Sequence, residues 1–512
     1  MVVALFYLFS CGKNPQEKFD TSEPETEGLS VVQWATRASI DLRGRRLSNV
    51  ELIRLEEDPD QVEAFIREML DDPSFPEQVA WAWNERFHTA LWASQYDRFG
   101  QWEFETWQAV GWEPLAAIEL LVSEERPYTD LVTMDELPLH PKTAELWEIE
   151  SAQSDWHWAH PGDDRPMAGI LSSRALWMRY TGDTFNLNRQ RASSLSRIFL
   201  CADFLERDGT LEFNALAESL VNIEQAIKTE PGCVSCHSAL DPLGSFFSGF
   251  SELSTDLTIV PYTSYSRFNA SWSTAFSPMK YFGQPGQDFT DLGVFVAADP
   301  RLTQCAVQTM MNGFIGERPT QDEEFWSIYS QFQDSGYLLK ELAYAIVSSE
   351  SYKYSEPKVL RTHQFHGIIK AVADLEEGTD TEGLGPLKWS WRHRLLFGEG
   401  DDVNILKPTN SINVSNLMIS EWAARFISQK VVDEMGSGSP LVELITDDGE
   451  ETALLQITRW LRTLHSKSVD PSSPEAQELL SLWIAAGGSA EPEIAYGTVM
   501  SALLMHPDMV VK

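Results

Sequence analysis

The chain has 512 residues, 43% of them hydrophobic, enough for large buried cores and about two to four domains. Its 77 acidic against 39 basic residues leave a formal charge of −38. That charge argues against nucleic acid or an anionic lipid face as partner, and it suits a solvated surface or a basic partner protein.

The first residues, Val2 to Phe9, form an apolar run of signal-peptide length, too short to span a bilayer. Leu8-Phe9-Ser10-Cys11 resembles a bacterial lipobox, so Cys11 is expected to carry lipid, although no Lys or Arg precedes the apolar run. An ordinary signal peptide is the alternative. Residues 14–28 are polar and lack apolar periodicity, as in a flexible tether. Residues 1–28 are therefore expected to be a lipoprotein-type signal and tether.

A helical domain is expected over 29–150. Ser48 and Glu51 have capping-box spacing, with Leu47 and Leu52 at the staple positions. Val62, Phe65, Ile66, Met69 and Leu70 then recur at helical period. The same unit, a capped helix followed by an amphipathic one, is expected from Thr320 with Glu323, with its second helix at 338–347. It is expected again from Ser473, with its second helix at 496–504. Ten of the eighteen Trp lie between Trp81 and Trp177. Core packing is the expectation for most of them, with a ligand-stacking surface as the alternative.

The chemistry is concentrated in Cys233-Val234-Ser235-Cys236-His237. Two thiols three positions apart can each bond one vinyl group of a porphyrin, and the adjacent imidazole can then ligate its iron. A thioredoxin-like pair would call for a βαβ context that the sequence lacks. Half of a zinc site would call for a second Cys pair, and none exists. One covalent haem c is expected, attached at Cys233 and Cys236 with His237 as proximal ligand. The other ring N–H of His237 is expected to reach a backbone carbonyl near Pro242. His157 with His160, and His363 with His366, have i, i+3 spacing but no third ligand in sight. The acidic runs 399–402 and 447–451 read as solvated loops, and no Gly-x-Ser-x-Gly, His-Glu-x-x-His or P-loop pattern occurs.

With its flank Asp241-Pro242-Leu243-Gly244, the motif resembles the planctomycete-type cytochrome c family of exported multidomain proteins. Gly169-Ile170-Leu171-Ser172 and the helix from Asn188 to Cys201 resemble the segment before that family's haem. Cys305 and Gly316-Glu317-Arg318-Pro319-Thr320 resemble the domain after it, and Arg37 to Leu42 its N-terminal helices. After Gly244 the chain departs from the family, with Ser245-Phe246-Phe247-Ser248-Gly249-Phe250 in place of acidic and aromatic residues. The resemblance implies haem binding or electron transfer, with an unidentified redox partner protein and no set substrate.

The fold expected is mainly α: helical modules around a cytochrome c-like haem domain, with a few short strands in 255–300. Residues 151–355 would hold the haem domain and its following module, and 356–512 a C-terminal helical domain. Setting aside Cys11, Cys233 and Cys236 leaves Cys201 and Cys305, both in segments that resemble haem-flanking elements of the family. A disulfide between them is expected, with two buried thiols as the alternative. Met279 lies 42 residues beyond His237 by residue number, after Pro278, and is the favoured distal ligand. The functional expectation is an exported monohaem cytochrome in electron transfer. It would sit in the bacterial cell envelope, on the periplasmic side or as an outer-membrane lipoprotein, held to the membrane by its lipid. A haem oxidase or peroxidase, or a surface binding lipoprotein with structural haem, are the alternatives.

Overall fold

A computed structural model describes residues 28–90, 103–147, 149–151, 153–161, 165–180, 188–204, 229–249, 278–316, 320–373, 391–400, 408–437, 439, 441–445 and 449–512. These residues are mainly α, with twenty α-helices and two short antiparallel strand pairs.

Local chemistry marks the first elements. Helix α1 (Val31–Arg43) opens on a reciprocal cap between Ser30 and Gln33, and closes at Gly44 in the left-handed conformation, φ 68°. Ser48 and Glu51 form the same reciprocal cap on α2 (Asn49–Glu57). Helices α3 (Val62–Met69) and α4 (Phe75–Phe87) follow, and α4 lies along α5 (Phe104–Ser123). Strand β1 (Leu137–Leu139) precedes α6 (Pro141–Trp147) and pairs with β2 (His157–Ala159), Leu137 opposite Ala159. This pair was not foreseen from the sequence.

Next come α7 (Arg174–Arg179), α8 (Arg189–Leu200) and α9 (Pro231–Gly244). Gly169 just before α7 has φ 50° and packs its backbone on Leu131, where a side chain would collide. Strands β3 (Lys280–Tyr281) and β4 (Gln284–Pro285) form a hairpin inside the range where short strands were expected, while 250–277 lie outside the described residues.

Then α10 (Phe289–Ala298), α11 (Pro300–Ile315), α12 (Glu323–Asp334), α13 (Leu339–Val347) and α14 (Glu350–Lys353) complete the larger body. The cap of α12 differs from the expected one. Asp322 accepts from the Phe325 amide, and Thr320 donates to Asp322 rather than capping the helix itself. Asp, with two acceptor oxygens one turn before Phe325, displaces Thr in that role.

The last group is α15 (Thr362–Ala373), α16 (Trp391–Leu396), α17 (Val414–Glu434), α18 (Glu450–His465), α19 (Pro474–Ala485) and α20 (Pro492–Leu504). Ser473 caps α19 through the Ala476 amide.

Two large apolar clusters organise these elements. One runs from Trp34 to Tyr352, and the boundary expected at 150 falls inside it. The other gathers Val359 to Val510 and recruits Ile40 from α1. Helix α1 thus joins the two. Its buried Asp41 accepts from Tyr352 Oη at 2.7 Å and from Gln364 Nε2 at 3.1 Å, and it pairs with Lys512 Nζ. The segment at 510–512 lies antiparallel to 358–360, with Leu360 N to Val510 O at 2.9 Å. No helix of the described residues is long and apolar enough to cross a membrane.

Candidate functional site

The motif opens α9. Pro231 occupies the first turn, where its missing N–H leaves no hydrogen bond unmade. Helical spacing then places Cys233, His237 and Asp241 at successive i, i+4 positions of one face, with Cys236 beside His237. Both thiols are free and half-buried. Cys236 packs against the larger apolar cluster, its Sγ 3.8 Å from the Phe204 carbonyl oxygen. Leu240 and Leu243, one and two turns beyond Cys236 on the same side of the helix, are buried in the core. Helix α9 packs on α8 and on β3.

His237 Nδ1 lies 3.0 Å from Asp241 Oδ1. A carboxylate can only accept, so Nδ1 carries the proton and Nε2 is left with the lone pair that a metal needs. This corrects the expectation of a backbone carbonyl: the i+4 side chain reaches the ring first. Arg189 of α8 holds the same carboxylate in a fork, Nε to Oδ1 at 2.7 Å and Nη2 to Oδ2 at 3.0 Å. Partial burial pushes the Asp241 carboxyl up, but hydrogen bonds from His237 and Arg189 and the guanidinium charge outweigh it. The result is a pKa of about 2. Ser245 Oγ donates to the Asp241 carbonyl and steadies the end of the helix.

These residues fit a c-type haem. Both thiols are unbonded, and the imidazole is held in the tautomer that ligates through Nε2. Met279 is buried in the same apolar cluster as Leu240, just before the strand that meets α9. Tyr281, Phe282 and Phe204 line that side, with Phe282 stacked on Phe204 at 6.5 Å and covered by the Arg301 guanidinium at 4.5 Å. Cys201 and Cys305 are joined as a disulfide, Cα to Cα 5.3 Å, which ties the end of α8 to α11. Residues 205–228, Cys11 and the rest of 1–27 lie outside the described residues.

The other sequence candidates lie elsewhere in the fold. His157 is on β2, with Nδ1 2.9 Å from the Asp155 carbonyl. His160 follows that strand. His363 and His366 are on α15, and the His363 ring stacks on Trp81 at 4.8 Å. Trp81, Trp83, Trp107, Trp112, Trp147 and Trp177 are all buried, which leaves Trp156 and Trp158 as the described Trp of that stretch with partly open faces. Glu399, read as part of a solvated loop, is instead buried. It accepts from Thr362 N at 2.7 Å and pairs with Arg394. A buried cation beside it lets the carboxylate remain inside. Sequence reasoning missed Arg189, whose only signal is a basic residue opening the helix before the motif.

No protein-family model, curated protein or solved structure matches the chain.

Proposed function

We propose that this chain is an exported monohaem c-type cytochrome that passes single electrons to and from a partner protein. The observation that carries the reading is the single face of α9 on which Cys233 and His237 lie, with Cys236 alongside and Nδ1 of His237 already engaged by Asp241. A bound haem c supplies one-electron iron chemistry. The chain's own residues anchor it through Cys233 and Cys236 and present Nε2 of His237 to it. The strand after Met279 brings a buried thioether to the same region, in keeping with Met279 as distal ligand. The charge of −38 favours a basic redox partner, and attachment to the envelope membrane through lipid on Cys11 belongs to the same reading.

One observation favours a second reading, a haem enzyme of oxidase or peroxidase type. A carboxylate rather than a carbonyl accepts the hydrogen bond from Nδ1–H, which makes the proximal imidazole a stronger electron donor to a metal. The surface-binding reading draws little from the structure, because most of the described Trp residues are interior.

The test is maturation in an export-competent host that assembles c-type cytochromes, followed by haem staining on a denaturing gel and oxidised and reduced spectra. Covalent haem with a low-spin spectrum supports the electron-transfer reading. Covalent haem with a high-spin spectrum favours the enzyme. No retained haem overturns both.

A further inference from the structure

A second constellation of ligating groups lies in the C-terminal body, well apart in sequence from the haem motif. His465 ends α18, and His506 and Asp508 belong to the short turn that follows α20. One ligating atom from each of the three side chains lies within 4.8 Å of the others. The two imidazole rings are 5.1 Å apart, centre to centre. The 41 residue numbers between His465 and His506 hide the cluster in the sequence, and only the packing of α18 against α20 and its following turn assembles it.

The state of His465 separates the cluster from a chance meeting of polar groups. The residue is buried at 6% exposure, and its Nε2 lies 2.9 Å from the Leu503 carbonyl oxygen. A carbonyl only accepts, so Nε2 carries the proton and Nδ1 holds a lone pair. That Nδ1 is buried and makes no hydrogen bond. Such an orphaned acceptor costs free energy unless a partner uses it. An imidazole fixed by a carbonyl on one nitrogen and bare on the other is the arrangement of a metal-ligating histidine.

We propose that His465, His506 and Asp508 form a binding site for a divalent transition cation, zinc being the first candidate. Two imidazole nitrogens and one carboxylate oxygen suit that class of ion and leave a fourth position open to water or a ligand. His506 Nδ1 now accepts from the Asp508 amide at 3.2 Å as the cap of the turn, and coordination through that atom exchanges a weak capping bond for a stronger one. The exposed ring has room to make that adjustment. Lys467 Nζ stands on Asp508 at 2.6 Å and competes with any cation there. Lys467 also lies 3.2 Å from Glu475, so it keeps a carboxylate partner when the ion takes Asp508. Arg46 donates to the Asp508 carbonyl at 2.6 Å and adds a fixed positive charge behind the turn, which a site of this kind must overcome.

The experiment is equilibrium dialysis of the full chain, free of any histidine tag and stripped with chelator, against zinc at neutral pH. Bound zinc is measured by atomic emission and is distinct from haem iron. One zinc per chain is expected. His506→Gln, on the exposed ring, is expected to weaken binding by roughly 10- to 100-fold with an unchanged circular dichroism spectrum. Lys467→Met is expected to tighten it, because the competing ammonium is gone. Replacing both His157 and His160 with Gln is expected to change nothing, which separates the site from adventitious surface histidines. Absence of stoichiometric zinc, or wild-type affinity in His506→Gln, overturns the proposal. So does loss of zinc in the His157 and His160 double variant alone.

Discussion

Nδ1 of His237 and Oδ1 of Asp241 stand 3.0 Å apart, one helical turn along the same helix, and Arg189 grips both oxygens of that carboxylate. The imidazole therefore hydrogen-bonds to an ionised carboxylate that the Arg189 guanidinium partly neutralises. Asp241→Asn keeps the shape and removes the charge, so the ferric state of a bound haem loses support. The reduction potential is expected to rise by roughly 60 mV, about a factor of ten in the one-electron equilibrium. Spectroelectrochemical titration reads this directly, and an unchanged potential would mean that the carboxylate does not tune the site.

Two carboxylates link stability to acid. Burial pushes the Glu51 carboxyl up, but hydrogen bonds from Arg45 and Arg43, the Arg43 charge and the Ser48 amide bring it to about 2. Asp241 is held at about 2 as well. For a carboxyl with a depressed folded-state pKa, the unfolded chain binds the proton more readily. The stabilisation is therefore present above the ordinary carboxylate range and fades as pH falls from about 4 toward 2. Glu51→Gln also weakens the cap of α2 and is expected to cost about 1 kcal/mol at neutral pH. Urea midpoints at pH 7 and pH 3 check it: the gap between wild type and variant should shrink at the lower pH.

The disulfide between Cys201 and Cys305 closes a long loop, with a sequence separation of 104. Replacing both Cys with Ala is expected to lower stability by roughly 2–4 kcal/mol through the freedom regained by the unfolded chain. Peptide mapping without reduction should recover one linked pair of peptides, from the end of α8 and from α11. Two alkylated thiols in those peptides would instead show free cysteines.

Asp41 and Lys512 form an ion pair whose side chains are both fully buried. Lys512→Met leaves Asp41 with Tyr352 and Gln364 but without its cation, and is expected to cost roughly 3–5 kcal/mol. Adding Asp41→Asn to that variant should recover part of the loss, because no uncompensated charge then remains inside. Denaturant unfolding of the single and double variants gives the comparison. A double variant less stable than the single one would sink the account.

Legibility varied with the range of the interaction. The Ser48–Glu51 cap, the Ser473 cap and the helices after them could be read because cap and helix period involve residues within one or two turns. Thr320 was misread because Asp322 offers a better acceptor just ahead of the first helical turn. Glu399 was misread because charge pattern alone gives no sign of Arg394 folding onto it.

The sequence by itself determined the local chemistry: a mainly helical chain, a Cys-x-x-Cys-His motif, and an even pair of cysteines left over. Each depends on spacing within a helical turn or on counting residues. Only the tertiary structure decided which distant groups meet. It placed Arg189 on Asp241, ran one apolar cluster through the boundary expected at 150, and set His465 beside His506 and Asp508. Those meetings follow from how amphipathic helices bury their faces against one another. That packing depends on the whole set of helices at once, and no local pattern encodes it.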